Sequence, residues 1–244
     1  MCYNMASFVL ADLKGIGLDI RLNYEEKGSG EVLLLLHGNG EDHTNFRAQM
    51  EYFSARYRVI ALDTRGHGAS ERGVKPFTLS QFADDLYDFM QEMDIAKANI
   101  LGFSDGGNIA LLFALRHPSM VDRLILNGAN LFNDGCKKAV NRWVEREYKQ
   151  ALDNGDKATA ELMALMIFEP NLKAQDLKVL KMPVLVIAGT NDMILKNHTR
   201  LIAHSLANST LVFLEGDHFI AYKHPAAFNA AVDNFLRSTK NLSY

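Results

Sequence analysis

A serine held between two glycines, Gly102-Phe103-Ser104-Asp105-Gly106, is the stretch of this sequence best suited to covalent chemistry. It ends the apolar run Ala98–Phe103 and leads at once into a helical pattern, Ser104–His117. On a tight strand-to-helix turn the serine hydroxyl is lifted above the sheet, because small flanking residues remove side chains that would clash. Gly107 lets the helix pack closely. The helix N-terminus beneath the serine offers free N–H groups and a positive dipole end, both suited to a developing oxyanion. Such a pentapeptide also occurs in ordinary glycine-rich turns, and the strand before and helix after favour the catalytic reading.

A serine hydroxyl is a poor nucleophile at neutral pH and needs a base to take its proton. Of eight histidines, His218 stands in Leu214-Glu-Gly-Asp-His-Phe219, after the last predicted strand and before the last helix. That places it at the carboxyl edge of an open sheet, where ligands bind in α/β folds. Asp192, in Ala188-Gly-Thr-Asn-Asp-Met193, directly follows another strand and belongs to the same edge. A carboxylate there would fix the imidazole tautomer and stabilise its charged form. Asp217 is the rival acid, although a side chain adjacent to the base usually points elsewhere.

A second glycine-rich turn, His37-Gly38-Asn39-Gly40, follows the apolar run Glu31–Leu36. It can aim the Asn39 N–H at the serine, with the Asp105 N–H as second oxyanion donor; a plain β-to-α turn is the alternative. No dinucleotide fingerprint is present, since its third glycine would fall on His43 or, for Gly66-His67-Gly68, on Glu71. His37, Glu41, Asp42 and His43 lack zinc-binding spacing, so neither a metal nor a cofactor is predicted.

The elements that must position these residues alternate. Strands are predicted at Phe8–Leu13, Leu18–Tyr24, Glu31–Leu36, Tyr57–Leu62, Ala98–Phe103, Arg123–Asn127, Pro183–Gly189 and Thr210–Leu214, the first two joined by a turn at Gly15-Ile16-Gly17. Helical spacing marks Thr44–Ala55, Leu79–Met93, Ser104–His117, Lys196–Ala207 and Pro225–Lys240. This rhythm predicts an α/β fold: a mostly parallel sheet with helices on both faces. It breaks between Leu131 and Leu180, where two helices (Lys137–Leu152 and Lys157–Phe168) precede the polar stretch Glu169–Lys181. The organisation expected is a core of 1–130 and 181–244 with a helical insertion at 131–180.

Five motifs in this order resemble the serine-dependent α/β-hydrolase family: His37–Gly40, Asp63-Thr-Arg-Gly-His-Gly-Ala-Ser70, Gly102–Gly107, Gly189-Thr-Asn-Asp192 and Gly216-Asp-His218. The resemblance implies the α/β-hydrolase fold, with Ser104, Asp192 and His218 as catalytic triad. It also implies a structural role for Asp63–Ser70, including Arg65 and His67, and makes 131–180 a short cap over the pocket. Dehalogenases and epoxide hydrolases of this fold carry aspartate at the position of Ser104, so those activities are disfavoured. Asp105 is less usual; similar Ser-Asp-Gly-Gly turns occur in relatives that cleave amino-acid esters. It either accepts local hydrogen bonds at the helix start or pairs with a cationic substrate group.

The activity expected is hydrolysis of a small-to-medium carboxylic ester through an acyl-enzyme. Amide or C–C (β-diketone) cleavage on the same triad remains open, as does a slow-turnover ligand-binding protein of the same fold. Phe103, Phe132, Trp143, Met166, Met193 and Phe219 are candidate pocket residues. Met163 and Phe168 join the cap residues that either line an acyl pocket or pack the cap on the sheet.

A formal net charge of -3, from 26 basic and 29 acidic residues, leaves no basic footprint for nucleic acid. Apolar runs are too short to span a bilayer. The opening residues lack a basic segment followed by an apolar one, so no secretory leader is expected. Two cysteines, Cys2 and Cys136, with no expected bridge, fit a reducing cytoplasmic setting. A small-molecule substrate is the expected partner, and the oligomeric state is open.

Overall fold

The computed structural model describes residues 19–240. Seven strands form one sheet: β1 (Tyr24–Lys27), β2 (Glu31–Leu36), β3 (Tyr57–Leu62), β4 (Ala98–Phe103), β5 (Val121–Asn127), β6 (Val184–Gly189) and β7 (Ser209–Leu214). Their spatial order is β1-β3-β2-β4-β5-β6-β7, with β1 antiparallel to β3 and every other pairing parallel. The strand order reverses between β2 and β4. The crevice outside such a switch point is where α/β sheets bind ligands, and the turns carrying Asn39 and Ser104 leave from its two sides.

Among the described residues eight helices accompany the sheet: α1 (Arg47–Phe53), α2 (Leu79–Glu92), α3 (Asp105–Arg116), α4 (Lys138–Asn154), α5 (Lys157–Phe168), α6 (Lys196–Ser205), α7 (Ile220–Lys223) and α8 (Pro225–Lys240). Alternate strand residues face opposite sides, so each central strand serves two cores. Leu34, Leu36, Ile100, Leu124 and Leu126 pack with residues of α2, α3 and α6. Leu33, Leu35, Leu101, Ile125 and Ile187 pack with residues of α1, α7 and α8. This two-sided burial explains why β2 reads as a continuous apolar run. Each buried leucine contributes about 1.5–3 kcal/mol over its exposed state.

The Asp63–Ser70 loop is held by a buried polar frame. Asp63 accepts from the Ala69 N–H (2.9 Å), the His43 N–H (2.8 Å) and the Asn23 amide (2.8 Å). The guanidinium of Arg65 is fully buried, bonded to Asp85 at 2.6 and 2.7 Å and also to Asp19.

Several boundaries differ from the sequence expectation. The strand Phe8–Leu13 and the turn at Gly15-Ile16-Gly17 lie outside the described residues. The strand expected at Leu18–Tyr24 instead begins at Tyr24 and runs to Lys27. Asn23 donates its N–H to Ser70 Oγ (2.7 Å), and its side chain binds Asp63, so loop contacts hold the segment before the ladder begins. The helix expected at Thr44–Ala55 divides into a 3-10 turn, His43–Phe46, capped by Asp42, and then α1. The polar stretch Glu169–Lys181 contains a 3-10 turn, Ala174–Val179, and buries Leu177 and Leu180 fully in the core. α7 was not expected from the sequence.

Candidate active site

Ser104 stands between the end of β4 and the start of α3. Its backbone adopts φ 53° and ψ -119°, a conformation that side-chain-bearing residues rarely adopt and that costs of order 1–3 kcal/mol. The surroundings hold it there. Its N–H donates to the Asn127 carbonyl (2.8 Å), and its carbonyl accepts from Gly107 and Asn108 (2.9 and 3.1 Å). α3 begins so close to the end of β2 that a Cβ on Gly106 would run into the carbonyl oxygens of Leu36 and His37.

His218 and Asp192 reach this hydroxyl from two other turns at the same sheet edge. The imidazole Nε2 lies 3.0 Å from Ser104 Oγ, and Nδ1 lies 2.6 Å from Asp192 Oδ1. An ionised carboxylate only accepts, so Nδ1–H donates to Asp192 and the Nε2 lone pair faces the serine proton. Asp192 is itself oriented by the N–H groups of Ile194 (2.9 Å) and Gly189 (3.3 Å). Gly128, with φ +65°, forms the floor: a Cβ there would strike the His218 ring. The histidine is 3% exposed and Asp192 2%, so water barely competes for these bonds. The rival acid points away. Asp217 binds Lys223 (2.5 Å) and the Phe219 N–H (3.0 Å), and the ammonium holds its carboxyl below the usual range.

The two turns expected to hold an oxyanion meet beside the serine. The Asn39 side-chain amide donates to Asp105 Oδ2 (2.9 Å), and Asp105 Oδ1 accepts from Asn108 (3.3 Å). Asp105 is buried, which raises its pKa against the opposing pull of these donors and of His218. Glu41 accepts from the Gly38 N–H (3.0 Å), and partial burial also raises its pKa. His37, fully inside, is held neutral with its pKa pushed down to about 4 by burial; its Nε2 accepts from the Thr64 N–H (3.0 Å). This fixes the turn backbone to the loop after β3.

The predicted pocket residues divide. The rings of Phe103 and Phe219 pack on His218 with centroids 4.8 and 5.5 Å away. Phe132 packs edge-on against His198 (4.6 Å), and Met193, Met163 and Met166 are half-buried. Trp143 is 43% exposed on α4, and Phe168, against Tyr148, is 56% exposed. Cys136 is a half-buried thiol with its pKa pushed up to about 12 by burial, far from reactive. Among the described residues, side-chain atoms of Asp42, His43 and Asp63 lie within 4.8 Å of one another. Asp63 accepts from His43, Asn23 and Ala69, and Asp42 Oδ1 from Thr44.

Sequence reasoning missed the Asn39 carboxamide, Glu41 and Gly128 as parts of this site. For Gly128 a signal existed, since it directly follows a strand ending at the same edge. For the other two nothing in the spacing indicates the contact.

The comparisons agree with this architecture. A family model described as the alpha/beta hydrolase fold matches residues 31–134. The 3-oxoadipate enol-lactonase 2 of Acinetobacter baylyi is 26% identical, over 90% of this chain and 94% of its own. The human serine hydrolase BPHL is 28% identical, over 89% of this chain and 84% of its own. The structure of a meta-cleavage product hydrolase from Pseudomonas fluorescens IP01 superposes with a TM-score of 0.75 at 23% identity, covering 90% of this chain and 95% of that one.

Proposed function

We propose, from the premise that the chain belongs to the α/β-hydrolase family and is a hydrolase, that it cleaves small-to-medium carboxylic esters through an acyl-enzyme on Ser104. One observation carries this reading. Three side chains from distant parts of the chain form a continuous relay, from Asp192 through His218 to Ser104, at 2.6 and 3.0 Å. Ser104 Oγ attacks the ester carbonyl carbon while His218 Nε2 takes its proton. The carbonyl oxygen becomes an oxyanion, received by the N–H groups of Asn39 and Asp105. Collapse breaks the bond to the alcohol oxygen, which leaves with the proton held by His218. Water, deprotonated by the same imidazole, then attacks the acyl carbon and releases the acid and the serine.

The charge around the serine narrows the substrate. Asp105 and Glu41 both have pKa values raised by burial. Among the described residues no lysine or arginine pairs with either, so an acyl group bearing a carboxylate would find no cation beside these two side chains. A neutral acyl chain fits better. α4 and α5 would act as the cap over that chain. No helix among the described residues is long and apolar enough to cross a membrane, and the unpaired Cys136 thiol supports a reducing cytoplasmic setting.

A panel of p-nitrophenyl esters of graded chain length tests the reading, with the hemisuccinate ester as the anionic member. The expected result is turnover of the neutral esters, weaker turnover of the hemisuccinate, and loss of both in Ser104→Ala. Ester turnover unaffected by that substitution would refute the assignment. Turnover confined to β-diketones or anilides would move the activity to C–C or amide cleavage on the same relay.

A further inference from the structure

The amide nitrogen of Asn39 makes two bonds at once. One N–H goes to Asp105 Oδ2, next to the proposed nucleophile, at 2.9 Å; the other goes to the backbone carbonyl of Leu162, inside α5, at 2.8 Å. The Leu162 carbonyl can only accept, so the orientation of the amide is chemically fixed. A single carboxamide therefore joins three pieces of chain: the turn after β2, the start of α3 and the middle of α5.

Alanine offers no donor, and aspartate would place acceptors against two acceptors. The rest of the excursion is anchored elsewhere. Arg72 pairs with Glu161, and Lys137 N–H binds the Met193 carbonyl (2.9 Å) beside Asp192. Among the described residues, only the Asn39 link runs from α5 to the residue following Ser104.

We propose that the Asn39 carboxamide is a positioning residue that couples the seating of α5 to the geometry of the nucleophile turn. This rests on Ser104 being the nucleophile. When α5 is docked, both N–H groups are engaged and the Asn39 backbone N–H is held at the serine. When α5 lifts, one donor is released and the turn loses a fixed point. The side chain thus differs from the backbone donor of the same residue: substitution removes the first and leaves the second. Loss of the amide donor also takes from Asp105 a bond that opposes its burial-raised pKa.

The test compares wild type, Asn39→Ala and Asn39→Asp as full chains, with p-nitrophenyl butyrate as substrate and a fluorophosphonate as covalent probe. Losing a buried hydrogen bond that positions the nucleophile turn predicts a fall in kcat of about 10-fold in Asn39→Ala. Asn39→Asp should fall further, although it keeps the shape; a role in space-filling alone predicts the opposite order. Hydrogen exchange gives the second readout. In wild type the adduct on Ser104 should slow exchange in α5, because coupling between two sites is reciprocal. In Asn39→Ala the adduct should leave α5 exchange unchanged. Adduct protection of α5 persisting in Asn39→Ala, or an unchanged kcat there, would overturn the proposal. A wild type that neither takes the probe nor cleaves the ester would instead overturn the reading of Ser104.

Discussion

The sheet and the excursion between β5 and β6 are held by different forces. Central strands β4, β5 and β6 bury nearly every residue, and their neighbours interlock on both faces. α4 buries only Val144 and Ala151, and α5 only Ala160 and Leu165. Besides the buried Leu165, α5 is tied to the rest of the molecule by polar links, Asn39 to Leu162 and Arg72 to Glu161. The relay is built entirely on turns that leave the rigid sheet, whereas the segment proposed to face the acyl chain hangs on contacts of smaller energy. Chemistry that needs sub-ångström placement sits where close packing fixes it. The selection of the acyl group proposed for α4 and α5 would sit where a few polar bonds can open.

The sharpest break between the two regions should come from the relay. Asp192→Asn should lower kcat/KM by about 10³–10⁴-fold, because the imidazole is left without its orienting acceptor, while urea unfolding stays near wild type. A loss under tenfold in steady-state kinetics would mean the acid lies elsewhere. Next in size is the buried frame under the loop after β3. Asp85→Asn removes a partner of the fully buried Arg65 guanidinium and should destabilise the fold by about 3–5 kcal/mol in chemical denaturation.

The pH dependence of the same frame gives a smaller effect of known sign. His37 has its pKa pushed down to about 4, against 6.5 for the free side chain. Its unfolded form therefore binds a proton over a range in which the folded form does not. Stability from this group is complete above pH 6.5 and is lost as pH falls toward about 4, at up to about 1.4 kcal/mol per pH unit. An NMR titration showing His37 protonated at pH 6 would contradict it. The smallest effect belongs to the excursion. Glu161→Gln breaks a half-exposed pair with Arg72 and should change global stability by less than about 1 kcal/mol, with any kinetic change appearing in KM.

The same contrast governs what could be read from the sequence. Strands β2, β4 and β6 were legible because burial on both faces forces an unbroken apolar run. Ser104 was legible because its turn needs small neighbours, and Asp192 and His218 because each lies in a loop that leaves a strand at one edge. β1 was displaced because Tyr24-Glu25-Glu26-Lys27 is an exposed edge strand, with neither apolar alternation nor a continuous run to mark it. Leu177 and Leu180 were hidden inside a stretch that reads as polar, since single buried side chains in a 3-10 turn produce no period. The Asn39 amide contacts residues 66 and 123 positions away, and nothing local announces a bond of that span.

The most direct test of the central claim is to find where a fluorophosphonate adduct forms. Peptide mass mapping after labelling should place the phosphonyl group on Ser104 in wild type and find it nearly absent in His218→Ala, with folding retained in both. An adduct on another side chain, or labelling of Ser104 at an undiminished rate without the imidazole, would contradict the relay.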